Sequence, residues 1–263
     1  MHVARGLEEL PRSTAPVFVC VGVFDGLHLG HAYLLRHLAS EARARSARPV
    51  VITFDHHPDE ILTGSAPPLL CDPAERLERL EAAGVDTTVV VHFDRRLRET
   101  PYEAFVGAIA ERAPIAGFLM TPDAAFGYER AGTPASLAAL GRERGFEVVV
   151  VPPHELDGTA VRSSEIRAAI AVGNLDRVAV LLGRPHAVVG NAEPDGEGSR
   201  VRFSMPVALP PDGRYRVTID GDGPTAVDAV ARVDGGTVAT DATLAGRVRV
   251  TFDAPIDPAR AGM

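Results

Sequence analysis

Two arrangements of apolar residues divide the chain near residue 185. Before that point, solid apolar runs rich in β-branched residues alternate with stretches whose apolar residues recur every three or four positions. The solid runs predict strands covered on both faces, since such strands carry apolar residues at successive positions. These predicted strands lie at 17–23, 49–54, 86–93, 115–121 and 146–151.

The intervening stretches predict amphipathic helices. In one of them Leu77 and Leu80 recur at helical spacing, while Glu75 and Arg79 can pair across a turn of the exposed face. Helices are predicted at 33–45, 73–83, 102–112, 134–144, 164–171 and 175–182, the last two without a strand between them. Strands that alternate with helices predict an α/β fold, with a doubly wound parallel sheet built from right-handed βαβ units.

After residue 185 the pattern changes to strict alternation of apolar and polar residues. It is found in four segments, at 200–203, 215–220, 227–233 and 247–252. Asp-Gly, Gly-Asp-Gly-Pro and Asp-Gly-Gly separate them, and such sequences are turn signals between antiparallel strands. We therefore predict two domains, 1–185 and 186–263, the second a small antiparallel β-barrel-like domain. Residues 190–199 have the composition of a flexible loop.

Composition and charge narrow the class of protein. The 263 residues include 27 Lys and Arg against 35 Asp and Glu, a net charge of −8. This net negative charge argues against general electrostatic binding to nucleic acid or to an anionic membrane surface. The longest apolar run, residues 15–24, is about half of the ~20 residues that a membrane span needs. With two cysteines, Cys20 and Cys71, a disulfide framework is not expected, and we predict a soluble, cytoplasmic protein of unknown oligomeric state.

The strongest chemical signal lies at the first predicted strand-to-helix junction, Val21-Gly-Val-Phe-Asp-Gly-Leu-His-Leu-Gly-His31. The strand is expected to end at Val23 and the helix to begin near His31. A helix start carries unpaired N–H groups and partial positive charge, which together favour a phosphate. Three glycines would let a ligand approach the backbone closely: Gly22, Gly26 and Gly30.

His28 and His31 are three residues apart, a spacing that places both on one side of a first helical turn. Each can donate a hydrogen bond to phosphate oxygens, and such bonds strengthen as charge builds in a transition state. The structural alternative is that the two rings cap the helix or fill a polar gap. A zinc site is less favoured, because no third ligand has suitable spacing nearby. Their position at a strand-to-helix junction favours phosphate chemistry.

Together with four later segments, this motif resembles the prokaryotic bifunctional riboflavin kinase/FAD synthetase family. More narrowly, it is similar to the FMN adenylyltransferase module of that family, within the nucleotidyltransferase superfamily that carries a His-x-Gly-His motif. In family order, the further segments are Val51-Ile-Thr-Phe-Asp-His-His-Pro58, Asp123-Ala-Ala-Phe-Gly127, Ser163-Ser-Glu-Ile-Arg167 and Leu181-Leu-Gly-Arg-Pro185. The resemblance spans residues 16–185. It implies a Rossmann-like sheet and transfer of AMP from ATP to the phosphate of FMN, giving FAD and pyrophosphate.

The resemblance also implies a role for individual residues. The implied catalytic residues, at the ATP phosphates, are His28, His31, Ser164 and Arg167. The implied nucleotide-binding residues are Gly22, Phe24, Asp25, Gly26, Gly30 and Ser163. The implied flavin-binding residues are Thr53, Asp55, His57, Pro58, Asp123 and Phe126, with Mg²⁺ as the ion and Asp123 as its candidate ligand. Because the FMN phosphate is already an anion, the enzyme has to align two phosphates and disperse charge rather than supply a strong base.

Taken singly, each of these segments has a structural interpretation. Ser163 or Ser164 is an ordinary residue type for a helix N-cap, and Arg167 is typical of a solvated helix face. The Asp123 segment reads as a turn, and His56-His57-Pro58 as the end of a strand. The functional interpretation depends on the segments occurring together and in order.

Three departures from the family pattern involve four positions. Glu165 replaces a threonine, and a carboxylate about 4 Å from a phosphate charge costs roughly 4 kcal/mol at an effective dielectric near 20. It is therefore expected to point away, to meet a metal or to act on the helix dipole. Ala124 and Ala125 replace an aromatic and a polar residue of the flavin-side turn, and His56 replaces a proline. Two alternatives stay open: another phosphorylated acceptor or nucleotide, and a nucleotide- or flavin-binding protein without turnover.

The second domain resembles the riboflavin kinase barrel in placement and strand pattern, but not in its catalytic residues. Pro206-Val-Ala-Leu209 stands where the kinase has Pro-Thr-Ala-Asn, and neither Val207 nor Leu209 can ligate magnesium. Pro224-Thr-Ala-Val227 lies too late in the chain and also lacks the asparagine. No glutamate follows Glu197, and the kinase's terminal helix is expected to be missing. We predict that riboflavin kinase activity is absent.

Overall fold

The computed structural model describes residues 1–221 and 226–256, so most of the predicted Gly-Asp-Gly-Pro turn and the first two residues of the Pro224-Thr-Ala-Val227 segment lie outside the described residues. The strands are β1 His2–Ala4, β2 Val17–Val21, β3 Arg48–Phe54, β4 Thr87–Val91, β5 Ile115–Met120, β6 Glu147–Val150, β7 Glu155–Leu156, β8 Thr159–Ala160, β9 Ala187–Asp195, β10 Gly198–Arg202, β11 Gly213–Asp220, β12 Val227–Asp234, β13 Thr237–Thr240 and β14 Gly246–Pro255. The α-helices are α1 Leu29–Ala44, α2 Pro58–Thr63, α3 Pro73–Ala82, α4 Arg95–Arg98, α5 Tyr102–Ala110, α6 Pro134–Arg144, α7 Ser163–Ala171 and α8 Leu175–Leu182.

A six-stranded parallel sheet has the order β1-β4-β3-β2-β5-β6. Its central strands are buried along nearly their whole length, as the solid apolar runs predict. The chain proceeds from β2 outward through β3 and β4, and then places β5 and β6 on the other side of β2. Such a reversal of strand order makes a crevice at the carboxyl ends of β2 and β5, where open α/β sheets bind ligands. The predicted Rossmann-like, doubly wound sheet is confirmed.

The described chain divides into two compact units. The first consists of Met1–Phe24, Gly30–Pro67 and Pro73–Ala160 and contains the parallel sheet. The second consists of Asp25–Leu29, Pro68–Asp72 and the residues from Val161 onward. Besides the barrel strands, the second unit contains α7, α8 and two short earlier segments of the chain. A separate domain at 186–263 stays a prediction.

The barrel is closed, with neighbours in the order β10-β13-β12-β11-β14-β9, and its paired strands are antiparallel. Alternate residues such as Tyr215, Val217 and Ile219 fill its interior. The prediction of a flexible loop at 190–199 is wrong, because β9 and β10 form a hairpin there. Gly190 is required by packing rather than by flexibility, since a Cβ at this position would lie 2.6 Å from the Arg202 carbonyl oxygen.

Among the residues that the structure describes, no helix combines the length and the apolar composition that crossing a membrane requires.

Candidate active site

The chain between β2 and α1 adopts an unusual backbone conformation. Phe24, Gly26 and Leu27 have φ angles of 53°, 79° and 38°, all in the left-handed region. Glycine is required at position 26, because a Cβ there would lie 2.9 Å from the Leu70 Cβ. Non-glycine residues in this region cost about 1 kcal/mol or more each, and they persist where surrounding contacts hold them. The segment Phe24–Leu27 is therefore a strained loop that needs anchors.

Asp25 is the first anchor of this loop. Its carboxylate is 3% exposed and accepts the backbone N–H of Leu70 at 3.0 and 3.1 Å. It also forms a close ion pair with the guanidinium of Arg167, whose Nε donates to the Pro68 carbonyl at 2.8 Å. Ser163 Oγ donates to the Asp25 carbonyl oxygen at 3.2 Å. Asp25 thus joins the loop to segment 68–72 and to α7.

Arg184 is a second anchor, although it is not among the predicted site residues. Its Nη2 donates to the Gly26 carbonyl at 2.6 Å, and its Nη1 lies 3.4 Å from the Leu27 carbonyl and 3.2 Å from that of Leu182. A planar guanidinium can reach several acceptors at once, which suits it to this task. Its sequence signal is its place in Leu181-Leu-Gly-Arg-Pro185, a segment that predicts a junction to the second domain.

His28 lies just before α1, which begins at Leu29 rather than near His31 as expected. The ring is 4% exposed, and burial is the largest cause that lowers its pKa to about 4. The positive charges of Arg184 and Arg167 lower the pKa further. His28 is therefore neutral at pH 7 and retains one ring N–H as a hydrogen-bond donor.

The depressed pKa of His28 predicts a specific loss of stability in mild acid. The unfolded histidine, with a pKa near 6.5, takes up a proton before the folded one does. Stability is therefore lost as the pH falls from about 6.5 to 4, by about 3 kcal/mol from this group. Urea unfolding at pH 7, 5.5 and 4 measures it, with His28→Asn as the control whose stability falls less over that interval. Equal losses in both proteins would contradict the assignment.

The start of α7 lacks the predicted serine cap. Arg162 occupies the N-cap position and makes no side-chain capping bond, and Ser163 is the first helical residue. The N-cap interpretation of Ser163 or Ser164 is therefore wrong, and Arg167 is not a solvated helix residue. Ser164 and Glu165 are exposed in the first turn, where water screens the Glu165 charge.

In the unit that contains the sheet, a cavity of about 590 Å³ lies at the carboxyl ends of β2 and β5. Its size is typical of small-molecule sites, and its walls are mainly apolar with polar groups at a few places. Residues around it include Val21, Gly22, Val23, Leu34, Phe54, His57, Pro58, Phe93, Met120, Thr121, Ala124, Ala125, Phe126 and Tyr128.

Four of the predicted ligand-binding residues line this cavity. They are Gly22, His57, Pro58 and Phe126. The ring of Phe126 packs 5.3 Å from that of Phe105, and Nδ1 of His57 accepts the Asp59 N–H at 3.2 Å to cap α2. The residues around the cavity that sequence reasoning missed are mostly apolar, and they include the aromatic side chains of Phe93 and Tyr128.

The other predicted flavin-side residues lie near this region without lining the cavity. Thr53 is buried, and its Oγ1 donates to the Val23 carbonyl at 3.0 Å, which holds the chain after β2. Asp123 is exposed, and its Oδ1 accepts the Thr121 hydroxyl at 2.8 Å. Asp55 is half-buried at the end of β3, among two histidines.

Two predicted phosphate-binding residues belong to the first turn of α1, namely Gly30 and His31. The His31 ring packs 5.2 Å from the ring of Phe24, which is itself buried. Phe24 lies three residues after the end of β2, and its contact with His31 holds the imidazole beside the positive end of the helix.

Asp123 fits the magnesium ion that the resemblance implies. Mg²⁺ beside a nucleotide is usually held by one or two carboxylates together with phosphate oxygens and water. An exposed carboxylate in the turn after β5 can supply one such oxygen.

In this parallel sheet, a His-x-Gly-His segment follows β2, and a small-molecule cavity lies at the carboxyl ends of the strands. These features together define a nucleotidyltransferase. The family model described as FAD synthetase matches residues 10–165. The chain belongs to the FAD synthetase family, the family of the bifunctional riboflavin kinase/FMN adenylyltransferases.

Two curated relatives carry that bifunctional name. The one from Escherichia coli strain K12 is 32% identical over 246 residues, which are 89% of this chain and 78% of that protein. The one from Pseudomonas fluorescens is 29% identical over 232 residues, 85% of this chain and 74% of that protein. A crystal structure of a macrolide-efflux protein from Streptococcus pneumoniae is similar, with a TM-score of 0.79 and 24% identity, and covers 97% of this chain and 90% of that one. This last likeness shows the fold alone.

Proposed function

We propose that this enzyme transfers AMP from ATP to the phosphate of FMN and releases FAD and pyrophosphate. The observation that carries the proposal is the mainly apolar cavity of about 590 Å³ at the carboxyl ends of β2 and β5, which Phe93, Phe126 and Tyr128 help to line. A flavin ring system is flat and largely apolar, and it gains from aromatic contact on its faces and edges. The names of the bifunctional relatives support FMN as the acceptor.

The two alanines of the flavin-side turn are compatible with this acceptor. Ala124 and Ala125 both line the cavity, and they add no aromatic surface of their own. Phe93, Phe126 and Tyr128 supply that surface from three other positions. The aromatic surface that Ala124 and Ala125 do not provide is therefore available from Phe126 within the turn motif and from Phe93 and Tyr128 outside it.

The proposed reaction needs positioning and charge stabilisation more than proton transfer. An FMN phosphate oxygen forms a bond to the α-phosphorus of ATP, while the bond from that phosphorus to the bridging oxygen breaks. The pyrophosphate leaves with the electron pair, and no proton has to be removed from the attacking phosphate. His31, at the positive end of α1, donates to the phosphate oxygens, and neutral His28 supplies a second donor. Magnesium, held by Asp123 together with phosphate oxygens, would neutralise part of the triphosphate charge.

The direct test incubates tag-free protein with ATP, Mg²⁺ and FMN, and follows FAD by chromatography and pyrophosphate by a coupled assay. Equal amounts of FAD and pyrophosphate are expected. Parallel assays replace ATP by CTP or GTP, and replace FMN by other phosphorylated acceptors. Faster pyrophosphate release with another pair would assign a different substrate, and tight binding of ATP and FMN without release would make the protein a binder without turnover.

We also propose that riboflavin kinase activity is absent. Val207 and Leu209 pack against the barrel core instead of presenting ligands for a metal or phosphate. Leu69 pairs with this segment, accepting the Ala208 N–H and donating to the Pro206 carbonyl, both at 2.8 Å. Riboflavin and ATP should therefore yield no FMN with a preparation that converts FMN to FAD, and detectable FMN would refute this part of the proposal.

A further inference from the structure

Three potential metal ligands meet at the carboxyl ends of two neighbouring strands. Phe54 at the end of β3 is in register with Val91 at the end of β4, and the Asp55 N–H donates to the Val91 carbonyl at 3.2 Å. Asp55 and His92, the next residues along these strands, are thereby brought side by side. His56 follows Asp55 directly, and the ligand atoms of the three side chains lie within 4.8 Å of one another.

The carboxylate at the centre of this cluster is held in a fixed orientation. Oδ1 of Asp55 accepts the backbone N–H groups of His56 at 2.7 Å and of Phe93 at 3.2 Å. The imidazole Nδ1 of His92 lies 2.6 Å from Oδ2, and that of His56 lies 3.1 Å from Oδ1. Two backbone N–H groups and two imidazole rings thus surround the carboxylate and define the orientation of its oxygens.

We propose that Asp55, His56 and His92 bind one divalent transition-metal ion of the zinc class. Two imidazole nitrogens and one carboxylate oxygen form a common zinc ligand set, with water in the fourth position. Magnesium and calcium prefer oxygen ligands throughout, so this site is distinct from the ion proposed at the nucleotide phosphates. Small rotations of the two exposed rings would widen the present 2.6–3.1 Å separations enough to admit an ion bound at about 2.0–2.2 Å.

Among the residues that the structure describes, this group of potential metal ligands consists of these three side chains, while two neighbouring polar side chains cap helices. Asp94 caps α4 by accepting the Leu97 N–H at 2.7 Å. His57 caps α2 through its Nδ1. The fourth coordination position is therefore left to water or to an external ligand.

The metal would stiffen one wall of the cavity. His57 and Phe93 line that cavity, and they directly follow two of the proposed ligands, His56 and His92. An ion shared by the ends of β3 and β4 ties these two chain segments together. The binding proposal itself does not depend on the proposed reaction, because the ligand set is defined by its own geometry.

The test titrates tag-free protein with Zn²⁺ against a chromophoric chelator, in buffer that contains millimolar Mg²⁺. One equivalent is expected to bind to the wild type. His92→Ala and His56→Ala should each weaken binding by at least about tenfold, the loss that even outer partners of metal ligands bring. His2→Ala and His154→Ala are the matched controls and should bind as the wild type does. With Co²⁺, the visible absorption should indicate four-coordination by nitrogen and oxygen without a thiolate band.

Both ligand histidines are exposed, so their alanine variants should fold, and circular dichroism checks that they do. Zinc binding by His92→Ala that equals that of the wild type would overturn the proposal, as would wild-type affinity weaker than millimolar. These outcomes are independent of FAD formation. A protein that binds zinc as expected but makes no FAD would refute only the proposed function.

Discussion

Replacing Asp25 by alanine should lower the free energy of unfolding of the barrel-containing unit by about 3–5 kcal/mol. The substitution leaves the largely buried guanidinium of Arg167 without its carboxylate and removes the acceptor of the Leu70 N–H. Taking away one partner of a buried ion pair is costly, because the other charge stays buried without compensation. Urea unfolding followed by circular dichroism measures the loss.

Asp234→Ala is the matched control, because its carboxylate also pairs with an arginine in the same unit. The Asp234–Arg232 pair is 3.0 Å long, but both side chains are more than 60% exposed. An exposed pair contributes about 0–1 kcal/mol, so the control should unfold almost as the wild type does. Similar losses in the two variants would show that burial of the Asp25 pair has no special effect.

Replacing His31 by alanine should lower kcat for FAD formation by about 100- to 1,000-fold. The substitution removes a donor at the start of α1. In the proposed reaction, negative charge grows on the phosphates at this place as the pyrophosphate leaves. KM for FMN should change little, because the cavity proposed to hold the flavin is lined by other residues. Steady-state kinetics with FMN and ATP varied in turn separate the two effects.

His37→Ala provides the control on the same helix. The His37 ring packs edge-on against Tyr33 at 4.5 Å, two turns away from the helix start, and should be dispensable for the reaction. A His31→Ala enzyme that works at nearly the wild-type rate would remove the imidazole from the reaction and weaken the functional interpretation of the whole motif.

The parallel sheet could be predicted because strands buried on both faces carry apolar residues at successive positions of the sequence. The strand at β3, for example, is apolar at nearly every position, and its bounds differ from the prediction by one residue. The hairpin of β9 and β10 has no such apolar run in its sequence. Its Gly, Pro and Asp residues are typical of loops, but β10 on one side and β14 on the other supply the backbone partners that make β9 a strand. That information lies in distant residues.

The candidate site shows the same division between local and distant information. The His-x-Gly-His segment and the Ser-Ser-Glu-Ile-Arg segment were recognisable from sequence. Their connection was not, because Asp25 and Arg167 are 142 positions apart and meet only in the folded chain. Arg184 was missed for a similar reason, since it acts on backbone carbonyls that have no side-chain signature.

The anchoring of the strained loop by Arg167 and Arg184 has a consequence for dissecting this enzyme. A fragment that stops at Ala160 would keep every strand of the parallel sheet but would lack both guanidinium groups. The fragment would keep the complete His-x-Gly-His sequence, but its loop would lack the two arginine side chains that hold its backbone conformation. The smallest piece worth expressing as a stand-alone catalyst therefore extends through Pro185, beyond the point where the sheet is complete.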